Sequence, residues 1–130
     1  MTASPVFSES GQSSQPTKPV KVGFLKTPLD DVGCAYNLRR SKKPYEQQIF
    51  KNGMDGVWMN LNGEDTKLTV TENAPQDEHA MHYEVGDIQV ILWPGHGKQN
   101  EAGVSHDRAK LRVIQNGKKQ DFLIEGGCGC

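Results

Sequence analysis

The sequence predicts an all-β fold, an antiparallel meander of about eight or nine short strands, closed into a small barrel or stacked as a two-layer sandwich. Three observations predict it. Two-residue turn signals recur between runs that alternate apolar and polar residues, and such pairs of runs read as hairpins. Glycine is abundant, 14 in 130 residues, while runs of helix formers are scarce. In each hairpin the turn chemistry and the apolar alternation also demand nearly the same register, and that agreement is stronger than either signal alone.

The elements follow in order. Residues 1–19, "MTASPVFSESGQSSQPTKP", are rich in Ser, Gln, Thr and Pro with only Val6 and Phe7 as bulky apolar residues, and they read as a disordered leader. Residues 20–130 read as a single β domain, long enough to bury a core. Short strands are expected at "VKVGFLK", "CAYNL" and "QQIFK". The stretch "SKKPYEQQIF" is the one place for a helical turn, and Pro44 breaks the run before it.

The first hairpin, "GVWMNLNGEDTKLTV", folds about Asn62-Gly63, the strongest two-residue hairpin turn because both positions tolerate positive φ. It pairs Leu61 with Glu64, Met59 with Thr66 and Val57 with Leu68. Val57, Met59, Leu61, Leu68 and Val70 then share one face, and Trp58, Asn60, Asp65 and Lys67 the other. The second, "MHYEVGDIQVILW", turns at Gly86-Asp87, with glycine in the first central place of a II′ turn. Val85 faces Ile88, Tyr83 faces Val90 and Met81 faces Leu92. The third, "KLRVIQNGKKQDFLIE", turns at Asn116-Gly117, setting Leu111 against Phe122, Val113 against Gln120 and Arg112 against Asp121 on the outer side. Between the second and third lies "PGHGKQNEAGVSHDR", read as a long polar loop. After Ile124, Gly126 and Gly127 let the backbone turn.

Charge narrows the partners. The 15 basic and 16 acidic residues are intermixed, so no basic stripe marks a nucleic-acid face. No apolar stretch approaches the roughly 20 residues of a membrane helix. No Ser/His/Asp set, P-loop or dinucleotide fingerprint is present. The expectation is a non-enzymatic, exported envelope or binding protein, periplasmic or secreted, tethered to a membrane by lipid in its native form. Its partner would be an envelope or extracellular protein, and no cofactor is expected.

Three cysteines, Cys34, Cys128 and Cys130, carry the chemistry, and three readings stand open. Cys34 bonded to Cys128 or Cys130 would clasp the early strands to the last one. A Cys-x-Cys bond between Cys128 and Cys130 would close a small strained ring of redox character. All three thiolates together would hold a metal ion or an iron–sulfur cluster, making the chain a carrier.

Outside the cysteines, Trp58 lies on the polar face of its hairpin opposite Lys67. There it either covers the barrel, stacked under the lysine, or anchors a partner. His96, in the Gly-flanked loop, joins these two as the third residue of a candidate binding face. His79 and His82, three apart on a strand, point to opposite sides and make no metal pair. Trp93 ends its strand and is expected to pack on the long loop.

The segments "GCAYNL…IFKNGMDGVWMNLNGEDTKLTV…YEVGDIQVIL…GGCGC" resemble a family of small exported bacterial β-proteins, often lipoproteins, without assigned activity. The resemblance implies fold and location and no reaction. The layout is also similar to the small β-barrel lysozyme inhibitors of the bacterial periplasm, which implies a bond from a cysteine near the start to one near the end. "VGCAY" with terminal "GCGC" resembles the cysteine pattern of A-type iron–sulfur carriers, which implies Cys34, Cys128 and Cys130 as ligands.

Overall fold

A computed structural model describes residues 19–30, 32–71, 80–101 and 103–129. Apart from Pro19, the segment read as a leader lies outside the described residues. Among the described residues ten strands follow one another without a helix: β1 (Val22–Gly23), β2 (Gly33–Leu38), β3 (Gln48–Gly53), β4 (Gly56–Leu61), β5 (Glu64–Val70), β6 (Met81–Val85), β7 (Ile88–Trp93), β8 (Lys98–Asn100), β9 (Gly103–Gln115) and β10 (Lys118–Gly129). All pairings are antiparallel. The order β4-β3-β2-β10-β9-β7-β6-β5 returns to β4, so eight strands close a barrel, with β1 added beside β4 and β8 beside β9. Of the two expected architectures, the barrel is the one formed, and closure leaves few exposed strand edges.

The three hairpins have the expected register. Leu61 pairs with Glu64 and Val57 with Leu68, Val85 with Ile88 and Met81 with Leu92, Leu111 with Phe122 and Val113 with Gln120. The turns explain why. Asn62 and Gly63 sit at φ 55° and 89°, and Asn116 and Gly117 at 53° and 76°, the doubly positive geometry that matches the twist of the flanking strands. Only the first central residue of Gly86-Asp87 is positive, at 57°, as in a II′ turn.

Inward side chains fill the barrel. Phe50, Met59, Val90, Leu111 and Ile124 are fully buried, and Tyr36 and Leu92 nearly so. Phe50 packs between Tyr36 and Tyr83 at ring distances of 5.9 and 5.6 Å. An eight-stranded barrel is about wide enough for its own side chains to fill, and these leave a core rather than a cup. The alternation runs out at the ends of the strands: Val70 and Met81, expected inside, are exposed.

Two expectations are corrected. The long polar loop is mostly strand: β8, a turn at Glu101, and the first half of the thirteen-residue β9. This half lacks apolar alternation because a register shift, with Ile124 opposite Ala109 but Gly126 opposite His106, resets which residues face inward. Gly126 and Gly127 do not turn the chain away; β10 continues to Gly129, paired with β2 on one side and β9 on the other. The stretch before β3 holds a single turn, where the sequence allowed one: the N–H groups of Glu46 and Gln47 both donate to the Lys43 carbonyl, at 3.0 and 2.9 Å.

One segment crosses the outside of the wall. Phe24–Leu29 runs over β3, β4 and β5 as a strap. Leu25 N–H donates to the Gln48 carbonyl at 2.7 Å, and Leu29 N–H to Gln48 Oε1 at 2.7 Å. Beneath it the polar residues Gln48, Lys51 and Asn60 are buried. No helix among the described residues is long and apolar enough to cross a membrane.

Candidate functional site

The cysteine question resolves through register. β2 and β10 run antiparallel with Cys34 directly opposite Cys128, and the two are joined in a disulfide 94 residues apart in sequence. Cys34 packs against the core on the same face as Tyr36, so the bond lies on the inner side of the wall. Bare backbone surrounds it. A Cβ on Gly126 would meet the Ala35 main-chain oxygen, and one on Gly103 the Cys128 oxygen. The glycines around Cys128 therefore let three strands approach closely at the bond. Cys130, the other cysteine weighed as partner or ligand, lies outside the described residues.

Trp58 and Lys67 are direct cross-strand partners on the outer face of β4 and β5, as expected. The cation over the indole is a different one. Lys51, the partner of Trp58 on β3, places Nζ 5.9 Å from the ring centroid, while the Lys67 stem runs over Gly56. Lys51 Nζ also donates to the Thr27 carbonyl of the strap at 2.7 Å. Trp58 itself is half-buried, and its Nε1–H donates to the Asp55 carbonyl at 3.3 Å. One flank of the ring is thus committed to structure and the rest reaches solvent.

Asp65 organises the polar layer beside it. Its carboxylate accepts from the main-chain N–H groups of Lys26 and Thr27, each at 2.9 Å, and from Asn60 Nδ2 at 3.1 Å. Partial burial raises its pKa, but these hydrogen bonds and the Lys51 charge outweigh that and hold it below the usual carboxylate value.

His96 is exposed in the link from β7 to β8, between Gly95 and Gly97, which lie close to Arg108 and Val104 of β9. In the strand order β9 is as far from β4 as the barrel allows. The structure therefore brings Trp58 and Lys67 together and sets His96 on the opposite wall. His82 faces outward beside Ile91, and His79 lies outside the described residues.

Two surface features escaped the sequence. Trp93 packs under cations rather than on a loop: Lys110 Nζ stands 4.9 Å and Arg112 Cζ 5.4 Å from its ring centroid. Arg112 also makes a two-pronged bond to Asp121, at 2.7 and 3.1 Å, which holds that carboxyl below its usual pKa. Leu123, opposite Lys110 on β10, is 57% exposed beside them. The second feature is a groove of about 480 Å³ on the outer side of β2, β10 and β9, floored by Ala35 and Gly127 and walled by Asn37, Tyr45, Ser105 and Asp107. Tyr45, at 86% exposure, stands above it. The signal for the Trp93 cluster was available in the alternation: Trp93, Lys110 and Arg112 all fall on the polar faces of their strands.

Comparison with protein-family models, curated proteins and solved structures finds no match for this chain.

Proposed function

We propose that this chain is a non-enzymatic binding protein exported to an oxidising compartment, periplasmic or secreted, and that it recognises its partner from the outside of a filled barrel. The observation that supports this reading is the Cys34–Cys128 bond, formed between facing residues of β2 and β10. Disulfides persist in secreted and periplasmic proteins and are rare where glutathione and thioredoxin keep thiols reduced. This one joins the early and last strands on the packed inner side of the wall, the position of a clasp. With the interior occupied by Phe50, Met59, Leu111 and Ile124, recognition falls to outer residues such as Trp58, and a half-exposed tryptophan beside lysines is a common interface anchor. The carrier reading would need Cys34 and Cys128 as thiolates, and the redox reading a bond from Cys128 to Cys130; a bond from Cys128 to Cys34 speaks against both.

The test uses the protein isolated from its own cells under an alkylating agent. Cys34 and Cys128 are expected in one non-reduced peptide pair, with neither alkylated. Alkylation of both overturns the reading. A photo-crosslinking amino acid at position 58 tests the binding half: intact cells should yield a discrete crosslinked species, and its absence counts against recognition through this face.

A further inference from the structure

Near the Asn62-Gly63 turn the barrel wall has a seam. β10 pairs with β9 along its length but with β2 only from Ile124 onward. The Arg39 N–H to Leu123 carbonyl bond, at 3.1 Å, continues that edge by one residue. In a two-residue hairpin the residues flanking the turn exchange both hydrogen bonds, and bonded and non-bonded pairs then alternate. Counting from Gln115 and Lys118, the main-chain groups of Gln120 and Phe122 face β9, and those of Lys119 and Asp121 face away from it. Across the gap stands β1. Asn62 N–H donates to the Lys21 carbonyl at 2.8 Å, so the alternation turns the N–H and C=O of Val22 away from β4.

Two strand edges therefore confront one another. No main-chain bond joins them among the described residues; the Gln120 side chain bridges them instead, donating from Nε2 to the Val20 carbonyl at 2.7 Å. The gap opens into a groove of about 770 Å³ lined by Val20, Lys21, Val22, Gln120 and Phe122, with the Asn62-Gly63 turn at its rim.

We propose that this seam binds an extended peptide in which acidic and apolar side chains alternate, added as a strand between β1 and β10. The outward main-chain groups of Val22, Lys119 and Asp121 supply the ladder, as in other cases of strand addition. The faces set the side chains. Val22 and Phe122 pack toward the core, so the guest's inward residues meet an apolar floor. Lys21 and Lys119 are exposed on the outer face, one on each side, so outward residues of the guest lie between two ammonium groups. Asp121 is already paired with Arg112 and leaves that positive rim in place. Opposite charges across neighbouring strands are favourable and like charges are not. In this arrangement Gln120 is a latch that the guest's main chain displaces.

The inference concerns a surface apart from Trp58 and holds whatever compartment the protein occupies. The experiment titrates the full chain into fluorescein-labelled Glu-Val-Glu-Val-Glu-Val amide and follows anisotropy, with Lys-Val-Lys-Val-Lys-Val amide as comparison. The acidic peptide should bind saturably and about tenfold more tightly, the scale of a few favourable charge pairs made unfavourable. The double variant Lys21→Glu/Lys119→Glu, whose changes are on the surface, should reverse that order with its circular dichroism unchanged. Hydrogen exchange at the amides of Val22, Lys119 and Asp121 should slow about tenfold on saturation. No binding, equal binding of the two peptides, an unchanged order in the variant, or slowed exchange confined to other strands each overturns the proposal.

Discussion

Asp65 shows how much one side chain on the outer wall can organise. Its carboxylate satisfies two main-chain donors of the strap and the amide of buried Asn60, and Lys51 completes the cluster through Thr27. Asp65→Ala leaves those donors without their acceptor and should lower stability near neutral pH by about 1–3 kcal/mol, measured by urea unfolding. The pH dependence has a definite sign. The folded pKa lies below the ordinary 3.8, so the contribution is complete above that value and is lost as pH falls through the lower, folded one. The wild type and Asp65→Ala should therefore converge in acid. Tyr36 acts at the other extreme. Burial, and secondarily the charge of Tyr83, pushes its hydroxyl up to about 12 from 10.0, and burial raises Tyr83 too. The unfolded chain ionises first, so stability is whole below pH 10 and falls from there toward pH 12. Tyr36→Phe should flatten that alkaline loss in unfolding titrations; a variant with the same alkaline slope as wild type would contradict this account.

At the scale of strands, two glycines separate two kinds of constraint. Gly63 occupies φ 89° with nothing within 4 Å of a would-be Cβ, so Gly63→Ala should cost only backbone strain, about 1 kcal/mol. Gly126 has its constraint in space: a Cβ there would fall on the Ala35 oxygen, with Tyr36 Cα at 2.8 Å. Gly126→Ala should part β2 from β10 beside the disulfide and cost about 1–3 kcal/mol, with the Cys34–Cys128 bond more easily reduced. Equal denaturation midpoints for the two variants would refute the distinction. The same strands show what was legible in the sequence. Hairpin registers were, because Asn62-Gly63, Gly86-Asp87 and Asn116-Gly117 specify both turn and pairing while Val57, Tyr83 and Leu111 specify the face. The pairing of Cys34 with Cys128 was legible only to within two partners, since choosing between them needs the β2–β10 register, a contact between residues far apart in sequence. The first half of β9 was not legible, because its shift against β10 interrupts the period of two on which strand reading depends. Nor was the strap, whose residues are fixed by side chains of β3 and β5 and by no pattern of their own. Trp58 was correctly placed facing outward beside Lys67, yet the strap's burial of Lys51, which changes the cation over the ring, depends on that same long-range contact.

The whole molecule combines a barrel filled by its own side chains with a bond that links β2 to the last strand. Both matter to the unfolded chain as well as to the folded one. Cross-linking positions 94 residues apart removes conformations from the denatured ensemble, by about 4.7 kcal/mol at most for a loop of roughly one hundred residues. In the double variant Cys34→Ser/Cys128→Ser the barrel can still close, because its ladder from β4 round to β5 does not depend on sulfur. Its stability should nevertheless fall by about 2–5 kcal/mol. The denaturant slope should identify where the effect lies, since it scales with the surface newly exposed on unfolding. A denatured chain freed of its clasp exposes more, so the guanidinium midpoint should drop while the slope rises. If the midpoint drops with the slope unchanged, the bond acts through the folded wall where β2, β10 and β9 crowd together at Gly103 and Gly126, and the clasp account of Cys34–Cys128 must be replaced by one of local packing.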